Sequence, residues 1–493
     1  MLAAVPGSPG LAERALRQAV AAGDRALAVR AAGSLAPHPG AVPDARMLLF
    51  AEALRVRDWR AAEAHVDALS REPVFGLLAP ILRAWAAQDR GRDPQPLLAP
   101  GVVDPGVAPY IDEHRVLLLL ARGDDGAAAA LAQAVDGAGP RGERLRLLGA
   151  TALQQQGKSG AAELLLAGDS RALTLGRQAL AAGRLDERVI DSQSGIAELL
   201  ARLGADAAAQ GGTETALGFA RLAMLLAPGH APARLLAAEL LAARGATDAA
   251  TALLDDELVP GHYRDALEES RIFILAEADR EAEAIAVARR AVANSADATT
   301  LGRLGDVLMG ARRYGEAADV YARALALPTS PGAPQEWLLT LLRGMALDQS
   351  GRWRDAKPVL ERAHALAPGE AIVLNYLGYA QIEKRENIVA AQALIEQAAR
   401  LRPDDAAITD SLGWSYFLRG RTAEAIPLLE KAAAGEAEDP AIHEHLGDAY
   451  YTAGRRIEAR FAWDRALRGI RPDGAARVQA KIDRGLSPEL AAP

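Results

Sequence analysis

Residues 374–398 read LNYLGYAQIEKRENIVAAQALIEQA, residues 410–432 read DSLGWSYFLRGRTAEAIPLLEKA, and residues 442–467 read IHEHLGDAYYTAGRRIEARFAWDRAL. Each stretch carries a Leu-Gly pair, at Leu377-Gly378, Leu412-Gly413 and Leu446-Gly447, with a small residue twelve or thirteen positions further on. Extended backwards, the same beat gives rungs at Gly204, Ala238, Ile272, Gly305, Gly344, Gly378, Gly413 and Gly447, with steps of 34, 34, 33, 39, 34, 35 and 34 residues. A second ladder follows at Ala216, Ala250, Ala284, Ala317, Ala356, Ala391, Ala425 and Ala459. A third lies seven residues beyond it at Ala223, Ala291, Ala324, Ala363, Ala398, Ala432 and Ala466, with Glu257 as the exception. Self-similarity at this period means stacked helical hairpins, and small residues mark where two helices come closest. The expected fold class is therefore all-α, an α-solenoid of antiparallel helix pairs.

One repeat shows why the ladder holds these residues. In residues 337–371, Leu338, Leu339, Leu341, Leu342, Met345 and Leu347 spread apolar groups around a first helix, as neighbours on both sides require. Gly351 then ends that helix by accepting a left-handed backbone. Ala356, Val359, Leu360, Ala363 and Leu366 recur at three- and four-residue spacing on a second helix, which Pro368-Gly369 closes. A glycine inside a helix costs about 1 kcal/mol relative to alanine, so Gly344 implies another helix against its backbone.

These residues resemble the tetratricopeptide repeat family. Its Leu-Gly pair, its tyrosine (Tyr416 and Tyr450), its alanines and its closing proline (Pro228, Pro368 and Pro403) are matched in register over residues 197–472. The resemblance implies a right-handed superhelix with a concave groove lined by the first helices. The single long step is assigned to a lengthened loop, PTSPGAP, over 328–334. Upstream, Leu16, Phe50, Ala84, Val116 and Gly149 keep a fainter beat, and a degenerate hairpin is expected over Leu173 to Val189. The domain reading is divergent hairpins over 1–195, a regular array of about eight repeats over 196–472, and a capping helix and tail over 473–493. The capping helix is expected to turn Arg477, Lys481, Asp483 and Arg484 to solvent.

Composition limits function. A net charge of −8 without a basic run argues against a nucleic-acid partner. With no cysteine, disulfides, thiolate metal sites and cysteine nucleophiles are excluded. No apolar run reaches the length of a membrane span. Met1 to Gly10 lacks a basic n-region and a full apolar h-region, so no export signal is read and the cytoplasm is the expectation; a lost leader would place the chain in the periplasm.

Chemical motifs are sparse. Gly157-Lys158-Ser159 is short of a phosphate loop because Ala152 stands where the first glycine belongs, and it reads as a turn. His443 and His445 sit two apart, which a helix sends to different sides, so no shared metal is expected. No cofactor and no catalytic constellation are read. The alternative is an enzyme whose catalytic part lies within residues 1–195.

In the resembled family, positions beside the small rung line the groove. Carried over, they are Asn375 and Tyr379, then Asp410, Trp414 and Phe417, then Glu444, Asp448 and Tyr451. Aromatics beside acceptors suit an extended peptide or a partner helix, and the acidic bias favours a partner bearing Lys or Arg. The set departs from the lysine-and-asparagine clamp that some family members use for a C-terminal carboxylate. A narrower resemblance joins residues 374–467 to bacterial envelope proteins that include a lipoprotein adaptor of a carboxyl-terminal processing protease. The lack of cysteine departs from its lipoprotein members.

Overall fold

In the computed structural model, the described residues are 8–38, 42–98, 106–124, 126–134, 139–168, 170–185, 191–255, 259, 263–328, 336–470 and 472–492. Among them the regular structure is helical throughout, with no strand. Beyond Pro328, the loop expected over 328–334 lies outside these residues, as do 186–190 at the end of the degenerate hairpin. The chain forms two compact units, Met1–Ala296 with Ser330–Gly332, and Asp297–Thr329 with Ala333–Pro493.

The N-terminal unit begins with α1 (Pro9–Ala22), α2 (Arg25–Leu35), α3 (Pro43–Arg55), α4 (Trp59–Leu69) and α5 (Pro73–Asp89). It continues with α6 (Ala108–Arg122), α7 (Gly126–Ala134), α8 (Pro140–Gln155), α9 (Ser159–Leu165) and α10 (Arg171–Ala181). The regular repeats start within it, as α11 (Ser192–Ala209), α12 (Thr213–Leu226), α13 (Ala231–Ala242), α14 (Thr247–Leu253), α15 (Arg264–Glu277) and α16 (Glu281–Asn294). Consecutive helices pack as hairpins, but α11 also packs against α3, α5 and α6, and α12 packs against α1 and α3. One apolar core consequently runs from Ala12 to Ala233.

Helix α11 is buried on almost every side, through Gly195, Ile196, Ala197, Leu199, Leu200, Ala201 and Leu203. Its polar groups reach the earlier hairpins. Ser192 Oγ donates to Asp89 at 2.5 Å, Gln193 Nε2 to the Ala51 carbonyl at 2.6 Å, and Arg202 Nη1 to the Pro109 carbonyl at 2.8 Å. Half-buried Arg144 pairs with the buried Glu198. A Cβ on Gly195 would stand 2.1 Å from the Trp85 ring, so glycine is what lets α11 lie on that ring.

The C-terminal unit holds α17 (Ala298–Gly310), α18 (Tyr314–Leu325), α19 (Glu336–Gln349), α20 (Trp353–Leu366), α21 (Ala371–Glu383) and α22 (Ile388–Leu401). It ends with α23 (Ala406–Leu418), α24 (Thr422–Gly435), α25 (Pro440–Thr452), α26 (Arg456–Gly469) and α27 (Pro472–Arg484). Here packing is between neighbours in the chain, and first helices also meet across repeats, α21 with α23 and α23 with α25. Among the described residues from α21 onward, the apolar contacts group into small clusters that each join neighbouring hairpins.

The ladder residues sit where close approach requires them. Ala317, Ala356, Ala391, Ala425 and Ala459 are all fully buried. A Cβ on Gly305 would meet the Tyr321 ring at 2.4 Å, on Gly344 the Leu360 side chain at 2.5 Å, and on Gly447 the Trp463 ring at 2.3 Å. In each case the obstruction comes from the second helix of the same hairpin. Gly351 has φ +78°, the left-handed value expected of the residue that ends α19.

Candidate functional site

The first helices α21, α23 and α25 carry, in three successive repeats, the positions expected to line a groove. Each presents a pair at i and i+4: Asn375 and Tyr379, Asp410 and Trp414, Glu444 and Asp448. That spacing stacks the two side chains on one helical face. In the latter two repeats the face meets the next helix of the stack.

Asp410 and Trp414 are buried against α25. The Asp410 carboxylate lies 2.8 Å from His445 Nδ1. Trp414 is stacked between Phe417, with ring centroids 4.8 Å apart, and His445, 4.2 Å away and 14° from parallel. Burial disfavours the His445 imidazolium, but the Asp410 charge, the hydrogen bond to it, and the charges of Asp448 and Glu444 outweigh that cost and hold its pKa above the usual value. When protonated, the imidazolium rests on the indole face.

Glu444 and Asp448 are buried beneath α27. Arg477 Nε and Nη2 donate to Glu444 at 3.0 and 2.8 Å. Lys481 Nζ donates to Glu444 at 2.7 Å and to both Asp448 oxygens at 2.8 Å. Trp463 Nε1 and the Ala492 amide add hydrogen bonds to Asp448, each 2.8 Å. Burial raises the Asp448 pKa against the opposing pull of Lys481. Arg477, Asp483 and Arg484 do keep some or much solvent contact, but Lys481 is fully buried, which corrects the solvent-facing expectation for that residue. The physical reason is the acid pair below it: a lysine in contact with two carboxylates is held in the interior by charge.

The remaining positions are half-buried: Asn375, Tyr379, Phe417 and Tyr451. Tyr379 faces Glu383 and Asp410, and burial followed by those charges raises its pKa. Burial also raises the pKa of Glu383 itself. Tyr451 lies 5.5 Å from the Trp463 ring, with Arg456 over its own ring at 5.6 Å. Among the described residues, Asn375 Oδ1 and Trp414 Nε1 are buried without a hydrogen-bond partner. The carboxylates of this set hold the chain's own charged or polar groups, His445, Arg477 and Lys481, by charge-assisted hydrogen bonds.

Sequence reasoning missed His445, Arg477 and Lys481 as members of this constellation. A signal for the last existed: one more step of 34 from Gly447 lands on Lys481, so α27 stands where the first helix of a further repeat would be. Among the described residues no three His, Cys, Asp or Glu side chains converge on a metal site. His443 and His445 turn to different partners, the Ala437 carbonyl and Asp410. Gly157 is a turn with φ +74°. No helix among the described residues is long and apolar enough to cross a membrane.

Two family models, each described as a tetratricopeptide repeat, match the chain, one at residues 300–335 and the other at 341–406, 383–439 and 411–475. The C-terminal region is an array of tetratricopeptide repeats. A TPR repeat-containing protein of Pseudomonas aeruginosa is 33% identical over 92 residues, which is 19% of this chain and 16% of that relative's length. Among solved structures, a tetratricopeptide repeat protein from Parabacteroides merdae covers 58% of this chain and 97% of its own at 13% identity, with a TM-score of 0.39. A thermophilic TPR protein of Thermus thermophilus covers 38% of this chain and 96% of its own at 22% identity, with a TM-score of 0.33. A tetratricopeptide array is in general a protein-interaction scaffold.

Proposed function

We propose that the chain is a non-enzymatic scaffold that receives an extended peptide or a partner helix along the first-helix face of α21, α23 and α25, and that the partner presents Lys or Arg. The observation that supports this is the seating of α27. The chain's own cationic helix meets the i and i+4 positions of α25, with Lys481 bonded to both Glu444 and Asp448. In the proposal Asn375, Tyr379, Phe417 and Tyr451 offer the contact edges, while Asp410 and Trp414 form the layer that holds them in place. Half-buried aromatics of this kind are the side chains that anchor partners with little loss of rotamer freedom. The resemblance of residues 374–467 to bacterial envelope adaptors extends the proposal to that compartment, and fractionation of cells expressing a tagged chain tests it.

The binding test uses an array of helical and extended peptides that differ in charge. Cationic peptides are expected to bind, and a folded Tyr379→Ala, Phe417→Ala double variant is expected to weaken them at least about tenfold, a loss of 1.4 kcal/mol or more. Equal capture of acidic peptides, or affinities untouched by the double variant, overturns this placement.

A further inference from the structure

At the end of the C-terminal unit, α27 lies against α26, and its side chains reach α25. Arg477, Val478, Lys481 and Ile482 carry this contact in a regular order. Arg477 and Lys481, at i and i+4, meet the acids Glu444 and Asp448. Val478, at i+1, is fully buried with Ala459, Trp463 and Ala466, and Ile482, at i+5, packs at the edge of the same cluster. The opposite face, with Ala476, Gln479 and Asp483, is exposed. Near the end of the helix, Gly485 passes so close to the Tyr451 hydroxyl that a Cβ there would stand 2.2 Å from it.

We propose that the seat formed by Glu444, Asp448, Tyr451 and Trp463 is an interaction surface for a partner helix with Arg or Lys at i and i+4 and aliphatic residues at i+1 and i+5, and that α27 is its resident, displaceable occupant. This rests on the scaffold reading and deepens it at α25, whose positions Glu444, Asp448 and Tyr451 form the seat, apart from the contact edges of α21 and α23.

The physical case has three parts. The hold on α27 is mostly electrostatic, and an ion pair taken out of water returns little net free energy, so exchanging one set of cations for another is close to neutral. Among the described side chains of α27, Val478 alone is an apolar anchor buried to completion. Finally, the face of α27 that carries Ala476, Gln479 and Asp483 is open to solvent, so the helix is held from one side, and elements with few buried contacts open at the low end of the stability range. A partner helix of the stated pattern restores every contact that α27 gives up. Without such a helix, α27 supplies the cations for the two carboxylates, of which Asp448 also accepts from Trp463 Nε1 and the Ala492 amide.

The test keeps the full chain and adds a labelled synthetic peptide with the sequence of residues 472–493. In the wild type, amides of α27 are expected to exchange with deuterium at least about 100-fold faster than those of α25, as independent opening requires. The Lys481→Gln chain, whose resident helix has lost its central cation, is expected to bind the peptide at least about tenfold tighter than the wild type does. A peptide with Gln at both positions 477 and 481 is expected to fail on either chain. If α27 and α25 exchange together in the wild type, the proposal is overturned, whether or not the variant folds. Equal peptide affinity for the two chains overturns it as well. Tyr379→Ala with Phe417→Ala is expected to leave this binding unchanged, so failure of the end seat and failure of the inner face give different results.

Discussion

Each compact unit contains a buried tryptophan that rests on a glycine and donates its indole hydrogen to a buried acceptor, and the two differ in where along the chain the partners come from. In the N-terminal unit, Trp85 on α5 rests on Gly195 of α11 and donates to His114 Nδ1 at 3.0 Å. In the C-terminal unit, Trp463 on α26 rests on Gly447 of α25 and donates to Asp448 at 2.8 Å. The second arrangement closes one hairpin. The first ties a hairpin near residue 85 to a helix that begins at Ser192, and so joins remote hairpins into one core. Nearest-neighbour stacking makes stability a sum over repeats, whereas contacts across many repeats make it shared.

The largest expected effect separates these two cases. Trp85→Ala removes a fully buried indole and leaves His114 without its donor, so a loss of roughly 3 to 5 kcal/mol is expected. Hydrogen exchange should then quicken together in α3, α5, α6 and α11. Trp463→Ala should cost a similar amount, but the faster exchange should stay within α25, α26 and α27. Equal spreading in both variants would remove the distinction between a shared core and a stack.

Acid titration sharpens the comparison with a smaller effect of opposite sign in the two units. Burial lowers the His114 pKa to about 3, so the folded unit keeps the imidazole neutral while the unfolded chain takes up a proton below about pH 6.5. Stability of the N-terminal unit should therefore fall as the pH drops from 7.5 to 5, by about 2 kcal/mol from this group. His445 behaves in reverse. Its raised pKa contributes stability that is fully present below about pH 6.5 and is lost as the pH rises through the folded value. Exchange protection followed helix by helix should show α5 and α6 weakening towards acid and α23 and α25 weakening towards alkali. His114→Gln and His445→Gln should flatten the respective trends, and a common sign in both units would refute the assignment.

The same contrast explains what the sequence made legible. The rung glycines and alanines are constrained by a partner helix within the same hairpin, so their signal repeats at a fixed short offset and can be read directly. The lodging of α11 among α3, α5 and α6 has no such offset. In sequence α11 looks like any first helix of a repeat, and the only trace of its surroundings is that Ile196, Ala197, Leu199, Leu200 and Ala201 cover more of its circumference than one apolar stripe would. The candidate positions align in sequence as a set, at i and i+4 of successive first helices. Their partners were not legible, because His445 and Lys481 are polar residues whose burial depends on a carboxylate two helices earlier in the chain, and polarity by itself reads as exposure.

The smallest effect concerns how a stack begins. Both α11 and α17 start with a reciprocal cap: the Asp191 side chain accepts from the Ser194 amide at 2.9 Å, and the Asp297 side chain accepts from the Thr300 amide at 2.9 Å. Ser194 Oγ accepts from the Asp191 amide at 3.2 Å, and Thr300 Oγ1 from the Asp297 amide at 3.1 Å, so each box satisfies two donors that a helix start leaves open. Asp191→Ala and Asp297→Ala should each cost about 1 kcal/mol, measured by urea unfolding. Identical local chemistry then acts in two different surroundings. In the shared core the first turn of α11 is also fixed by Ser192 on Asp89 and Gln193 on the Ala51 carbonyl, so Asp191→Ala should lower the unfolding midpoint while leaving exchange in that turn slow. Asp297→Ala should speed exchange in the first turn of α17 by several-fold. If the two turns respond alike, the tertiary ties to α11 add nothing to its cap, and the N-terminal unit behaves as a stack after all.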